Sequence, residues 1–273
     1  MARERIELEN LINTRDLGGY SNVEGKRIKP KKLIRSAALC KGSENDLKVL
    51  CDEYNLEAIV DFRNSDELLR EPDPVMKGVT HIWCPIFEEK VEAITREAQW
   101  DTSDPLAMYV YFGNTFAEFQ KKDDGNETPS FYAQFVLNEH SIEYYKKFFD
   151  VLLEERNGSV LWHCSAGKDR CGMGTVYLLK ALGMSDELIY DDYLATNDYY
   201  EALNQEMISL ANEREMDKAF HTIIRLVNGV QKGFLDTVYQ LCDEKYGGMD
   251  NFLKEKLDLD ETKIKRLKDL YLE

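Results

Sequence analysis

Cys164 and Arg170 are separated by five residues in the run His163-Cys164-Ser165-Ala166-Gly167-Lys168-Asp169-Arg170. The run joins a short apolar stretch, Ser159–His163, to Cys171–Met184, whose single charged residue is Lys180. A thiol ending a strand, a tight loop and an arginine opening a helix make an anion trap. The backbone N–H groups of Ser165, Ala166 and Gly167, and on through Arg170, are expected to converge as a nest, with the positive end of the helix behind them. The planar fork of Arg170 suits two oxygens of a phosphoryl group, as a lysine would not. The same positive field favours the thiolate of Cys164. A thiolate beneath a bound phosphate is placed for in-line attack, which gives a phosphocysteine with no metal or other cofactor.

Other loops of this general kind predict other chemistry. A nucleotide-binding loop needs Gly-x4-Gly-Lys-Ser/Thr, but Asp169 follows Gly167-Lys168 and Trp162 stands where the first glycine belongs. Sulfurtransferases and arsenate reductases also place a cysteine in an anion loop, and remain as alternatives. A buried cysteine with an unrelated arginine downstream does not account for His, Cys, Gly and Arg together between a strand and an apolar helix.

The Cys-x5-Arg run resembles the signature of cysteine-dependent phosphatases, and its Gly-Lys-Asp-Arg core is similar to that of the bacterial tyrosine/serine protein phosphatase family. Asn13-Thr-Arg-Asp-Leu-Gly-Gly-Tyr20, Leu33-Ile-Arg-Ser-Ala-Ala-Leu39, Val60-Asp-Phe-Arg-Asn64, Glu71-Pro-Asp-Pro74 and a stretch from Tyr246 to Leu267 match that family in order, so the resemblance spans about residues 13–267. It implies metal-free phosphomonoester hydrolysis on a phosphorylated protein (phosphotyrosine, sometimes phosphoserine or phosphothreonine) and, in several members, on phosphoinositides. It also implies an α/β fold with a central, mostly parallel sheet flanked by helices and, in some members, a helical lid.

Cys164 is then the nucleophile and Arg170 the phosphoryl clamp. The eukaryotic-type Trp-Pro-Asp acid loop is missing, since Trp83-Cys84-Pro85 has no aspartate next. Asp169, inside the loop, and Asp61, at a strand end, are both candidates for the proton donor; Asp61 could equally pair with Arg63 or Arg15. Lys168 points to a second anionic group on the substrate, or is a solvated loop lysine. His163 is expected to buttress the loop. Arg63, with Arg15, Asp16 and Arg35, either lines the substrate rim or pairs inside the fold. Cys171 stands where the family has Thr or Ser, and is a weaker donor to the leaving thiolate. That predicts either slow phosphoenzyme breakdown or capture of an oxidised Cys164 as a disulfide. If Cys171 disables turnover, the chain is a phosphate-binding module.

The elements that position these residues are readable around the loop. Asn13–Tyr20 and Leu33–Leu39 are extended candidates. Ser43 caps a helix running to about Tyr54, with Asp46 as an imperfect capping-box partner. Glu57–Phe62 and Val79–Cys84 are strand candidates, with a short helix after Arg63-Asn64-Ser65 and a stop at Pro72 and Pro74. From Ser141, Ile142, Tyr145, Phe149, Leu152 and Leu153 recur at helical spacing, and Asn157-Gly158 ends that helix. Beyond Ser185 the chain reads as helices with turns near Asn197, Gly229 and Gly247-Gly248. Residues 86–138, rich in aromatics, stay open between extra core helices and a lid insertion. The whole chain, 1–273, reads as one phosphatase domain whose part from 185 onward is helical.

The 273 residues carry 35 Lys+Arg against 51 Asp+Glu, a net charge of −16, with 43% hydrophobic residues. So acidic a chain is no general nucleic-acid binder. Met1–Asn10 is charged and has no apolar h-region, and no apolar run approaches the ~20 residues of a transmembrane segment. A cytoplasmic protein is expected, with non-classical export left open. Six scattered cysteines without a C-x-x-C pair read as reduced thiols, and four histidines without ligand spacing predict no metal site.

Overall fold

Strands β1 (Arg15–Asp16), β2 (Leu33–Ser36), β3 (Leu56–Asp61), β4 (Thr80–Trp83) and β5 (Ser159–His163) form one sheet in the order β1-β2-β5-β3-β4. This is a computed structural model, which describes residues 5–88, 103–121 and 131–273. The pairs β2–β5, β5–β3 and β3–β4 are parallel and β1 runs antiparallel on β2. β5 is buried along its whole length because helices cover both faces of the sheet. Side chains alternate between the two layers with the strand period of two. Leu33, Ala58, Val60, Val160 and Trp162 enter the larger core, whereas Ile34, Ile59 and Leu161 enter the smaller one under Leu39, Leu50 and Tyr54.

The described helices are α1 (Glu44–Asp52), α2 (Ser65–Arg70), α3 (Ala107–Lys121), α4 (Gln134–Leu137), α5 (Glu139–Leu152), α6 (Asp169–Ala181), α7 (Asp186–Leu194), α8 (Thr196–Glu213), α9 (Ala219–Asn228), α10 (Lys232–Tyr246), α11 (Met249–Glu255) and α12 (Glu261–Tyr271). The sheet, flanking helices and helical C-terminal part agree with the α/β expectation. Ser43 and Asp46 form a complete capping box, not an imperfect one. The extended run expected over Asn13–Tyr20 shrinks to Arg15–Asp16, and Leu33–Leu39 gives way to a 3-10 turn at Leu39–Lys41.

The turn expected near Asn197 falls at Ala195, between α7 and α8, and Asn197 is the second residue of α8. The Asn197 side chain clamps the chain after α9, accepting from Val230 N at 2.9 Å and donating to Val230 O at 3.0 Å. Of the segment left open between core and lid, 89–102 and 122–130 lie outside the described residues. The rest divides. Tyr132, Phe135 and Val136 are buried in the main core, while Leu106 and Tyr109 pack with Met207, Ala211, Phe220 and Ile224 in a separate cluster of α3, α8 and α9. No helix of the described residues is long and apolar enough to cross a membrane.

Candidate active site

β5 ends at His163 and delivers Cys164, 2% exposed, to the base of the loop that opens α6. Each loop carbonyl is tied outward. Ser165 O accepts from Ala38 N at 3.2 Å, and Ala166 O accepts from the Tyr200 hydroxyl at 2.7 Å and from Asn13 Nδ2 at 3.3 Å. Gly167 O accepts from Asn13 Nδ2 at 2.9 Å and from Arg35 Nη2 at 2.8 Å. With the carbonyls turned out, the amide N–H groups of residues 165–170 have no protein acceptor among the described residues, and the N-terminus of α6 adds its own partial positive charge. Gly167 sits at φ +66° against β2, where an added Cβ would lie 2.5 Å from Ser36 O. Only glycine fits that close approach with that backbone.

Arg170 is 4% exposed. Its guanidinium meets Glu67 fork to fork, Nη1 to Oε2 at 2.6 Å and Nη2 to Oε1 at 2.8 Å. Glu67 also accepts from the Ser165 hydroxyl and, as the capping-box residue of α2, from Asn64 N at 3.0 Å. Burial pushes the Glu67 carboxyl up, but Arg170 beside it outweighs burial and brings it down to about 2. The loop is held from behind by a second buried cluster. Arg15 Nε and Arg35 Nη1 donate to Asp192 at 2.9 and 2.7 Å, and the Tyr20 hydroxyl donates to it at 3.0 Å. A cleft of about 550 Å³ beside this cluster is lined by Arg5, Glu187, Asp191 and Asp198, among others, and by none of residues 164–170.

Asp169 and Asp61 have different surroundings. Asp169 opens α6, its carboxylate accepting from the Tyr132 hydroxyl, which in turn accepts from the Tyr193 hydroxyl at 2.6 Å. Asp61 faces Arg63, which donates to it through Nε at 3.0 and 3.1 Å and Nη2 at 2.8 Å. Arg63 is 1% exposed and lies between Asp61 and Asp73, 2.9 Å from Asp73 Oδ1. The pairing alternative for Asp61 and Arg63 is therefore the arrangement found. His163 Nδ1 lies 3.2 Å from Cys164 O, and its Nε2 lies 2.8 Å from Asp73 Oδ2. Asp61, Asp73 and His163 bring ligand-type atoms within 4.8 Å of one another, but the Arg63 guanidinium lies between the two carboxylates and pairs with each, which disfavours a cation there.

The Lys168 ammonium turns away from the loop. It donates to Val227 O at 2.6 Å and Gly229 O at 3.2 Å, at the C-terminal end of α9, and lies 3.7 Å from Asp169 Oδ2. Cys171 is fully buried, its sulfur 3.5 Å from Trp162 O, and burial pushes its thiol up to about 12. Arg15 and Arg35 pair with Asp192. Asp16, by contrast, accepts from Gly18 N and Lys31 N in the turn that follows β1. Sequence reasoning did not single out Glu67, Asp192, Tyr132, Tyr193 or Tyr200. Of these, Glu67 alone had a local signal, the Asn64-x-x-Glu67 capping pattern.

The model of the tyrosine phosphatase family matches residues 6–273. A protein of Cupriavidus necator whose name places it among the tyrosine-protein phosphatases is 26% identical, over 96% of this chain and 88% of the relative. The triple specificity protein phosphatase PtpB of Mycobacterium tuberculosis is 24% identical, over 97% of this chain and 98% of its own. A tyrosine-protein phosphatase of Nostoc commune is 26% identical over 47% of this chain and 44% of its own.

Proposed function

We propose, for a chain that belongs to the tyrosine phosphatase family, hydrolysis of phosphomonoesters on proteins, phosphotyrosine first and phosphoserine or phosphothreonine second, through a phosphocysteine at Cys164. The observation that carries this reading is the cradle of amides at residues 165–170, above a cysteine at a strand end and beside a buried arginine. Such donors are aimed at oxygens whose charge grows in the transition state and need no reorganisation as the reaction proceeds.

In the first step the Cys164 thiolate attacks phosphorus. An S–P bond forms, the P–O ester bond breaks, and Asp169 in its acid form gives a proton to the leaving oxygen. In the second step the Asp169 carboxylate takes a proton from water as the water oxygen attacks phosphorus. The S–P bond breaks, and inorganic phosphate and the thiolate are released. Asp169 is preferred to Asp61 because it lies in the loop, whereas the Asp61 carboxylate faces Arg63. A phosphoinositide with a second phosphate would need a further cation beside the cradle, and the nearest candidate, Lys168, donates to carbonyls of Val227 and Gly229. That favours the singly phosphorylated side chain.

The test is p-nitrophenyl phosphate hydrolysis that vanadate inhibits and Cys164→Ser abolishes. Asp169→Asn should lower turnover of alkyl phosphates roughly 10²- to 10⁴-fold, the range of a lost general acid, and that of p-nitrophenyl phosphate less, since nitrophenolate leaves unprotonated. No turnover by the wild type overturns the reading. Thiosulfate-dependent persulfide on Cys164 would indicate a sulfurtransferase, and phosphopeptide binding without turnover a binding module.

A further inference from the structure

Arg170 carries five N–H donors, and its two terminal nitrogens are both engaged by protein. Nη1 meets Glu67 Oε2 at 2.6 Å and Phe62 O at 3.4 Å, and Nη2 meets Glu67 Oε1 at 2.8 Å and the Ser165 hydroxyl oxygen at 3.2 Å. Nε–H has no protein acceptor among the described residues. Glu67 itself is fixed by four partners: both terminal nitrogens of Arg170, the Ser165 hydroxyl and Asn64 N. The last of these is the N-cap of α2. A carboxylate built into a helix cap is not a loose occupant of an anion site. To leave, it would give up the cap together with the guanidinium.

We infer that Glu67 is a positioning residue for the phosphatase reaction. It grips the outer end of Arg170, sets the guanidinium plane and presents the Nε edge, with the weakly held side of Nη2, to the phosphoryl oxygens. Ser165 completes the set, because its hydroxyl bridges Glu67 and Nη2 and places the first residue of the cradle relative to the clamp. The inference rests on the phosphatase reading, and deepens it by naming what orients the clamp. It makes Glu67 act through Arg170 in the transition state, where the charge on the equatorial oxygens is greatest.

Two measurements test it, one of which needs no turnover. In the Cys164→Ser protein, tungstate binding is measured by calorimetry with and without Glu67→Gln. Affinity should fall roughly 10- to 100-fold, the range of a lost charge-assisted hydrogen bond. In the active enzyme, Glu67→Gln should lower kcat and weaken vanadate inhibition by similar factors while KM moves little. A merely structural role would reduce the amount of active enzyme and leave the vanadate inhibition constant of the remainder unchanged. Ser165→Ala, which spares the Glu67–Arg170 pair, should show a smaller loss of the same kind and carries the test if Glu67→Gln does not fold.

Unchanged tungstate and vanadate affinities overturn the inference. Tighter binding also overturns it and makes Glu67 a competitor that substrate must displace. A wild type that does not hydrolyse p-nitrophenyl phosphate, while Cys164→Ser binds tungstate in a Glu67-dependent way, would sink the phosphatase reading alone. Absence of tungstate binding would sink both.

Discussion

Replacing Asp192 with asparagine should be among the most damaging near-isosteric changes in the protein, although Asp192 lies outside the amide cradle. Arg15 and Arg35 are 0% exposed and Asp192 1%. Arginine stays protonated whatever its surroundings, so the wild-type cluster carries a buried charge of about +1 and Asp192→Asn raises it to about +2. Leaving buried charge uncompensated costs about 3–5 kcal/mol. In a protein of this size that lowers Tm by roughly 10 °C. Urea unfolding should show the midpoint falling with an unchanged m-value.

The signs differ between partners. Arg15→Met takes the cluster to neutrality and should cost less than Asp192→Asn, despite removing more atoms. Burial pushes the Asp192 carboxyl up, but Arg15 and Arg35 hold it well below its ordinary 3.8. Its stabilisation is therefore complete above the unfolded carboxyl pKa and is lost as pH falls through the depressed folded value. The gap between wild type and Asp192→Asn should be flat above about pH 5 and narrow below that. A loss under about 1 kcal/mol, or Arg15→Met proving the costlier change, would refute the charge argument. Because Arg35 also donates to Gly167 O at 2.8 Å, the folded fraction of Asp192→Asn should bind tungstate more weakly.

Three further outcomes follow from the same geometry. Gly167→Ala puts a side chain at φ +66° and a Cβ 2.5 Å from Ser36 O; left-handed strain alone costs about 1–2 kcal/mol, so both Tm and tungstate affinity should drop, and unchanged affinity would show that the loop does not depend on this approach. Lys168→Met removes the cation from the C-terminal carbonyls of α9 and should cost about 0.3–1 kcal/mol in urea unfolding, with phosphoinositide turnover changing no more than p-nitrophenyl phosphate turnover; a selective loss on the lipid would put Lys168 on a second phosphate. In native protein at pH 7, alkylation followed by mass spectrometry should find Cys164 modified while Cys84, Cys171 and Cys242 stay protected, since burial pushes each of those three up to about 12; early labelling of Cys171 would contradict this.

What was legible in the sequence was local. Ser159–His163 has the bounds expected of it because an apolar strand running straight into Cys-x5-Arg leaves no freedom of register. The Asp61–Arg63 pairing was open to reading for the same reason: two residues apart across a strand end, the carboxylate and guanidinium meet without help from elsewhere. What was not legible is the choice of partner across long stretches of chain. Arg15 and Asp192 are 177 positions apart and Arg170 and Glu67 are 103, and no periodicity encodes which acid meets which arginine. Asn197 shows both sides: the break near it was legible and falls at Ala195, but the use of its amide on Val230, 33 positions away, was not.

The net charge of −16 and an anion site are compatible because the acids nearest the loop are each engaged by protein partners. Glu67 and Asp192 each hold arginines, Asp169 accepts from Tyr132, and their charges roughly cancel those of Arg15, Arg35 and Arg170. What then attracts a phosphoryl group is the set of oriented amides, the end of α6 and the Nε edge of Arg170, which act over a few ångströms, well inside the Debye length of about 8 Å at physiological salt. Surface carboxylates are screened over that length and act on encounter with the substrate. Raising ionic strength should therefore speed association of acidic phosphopeptides with the −16 surface while leaving turnover of saturating p-nitrophenyl phosphate nearly constant. A steep salt dependence of that turnover would mean that net charge, not oriented dipoles, holds the phosphate.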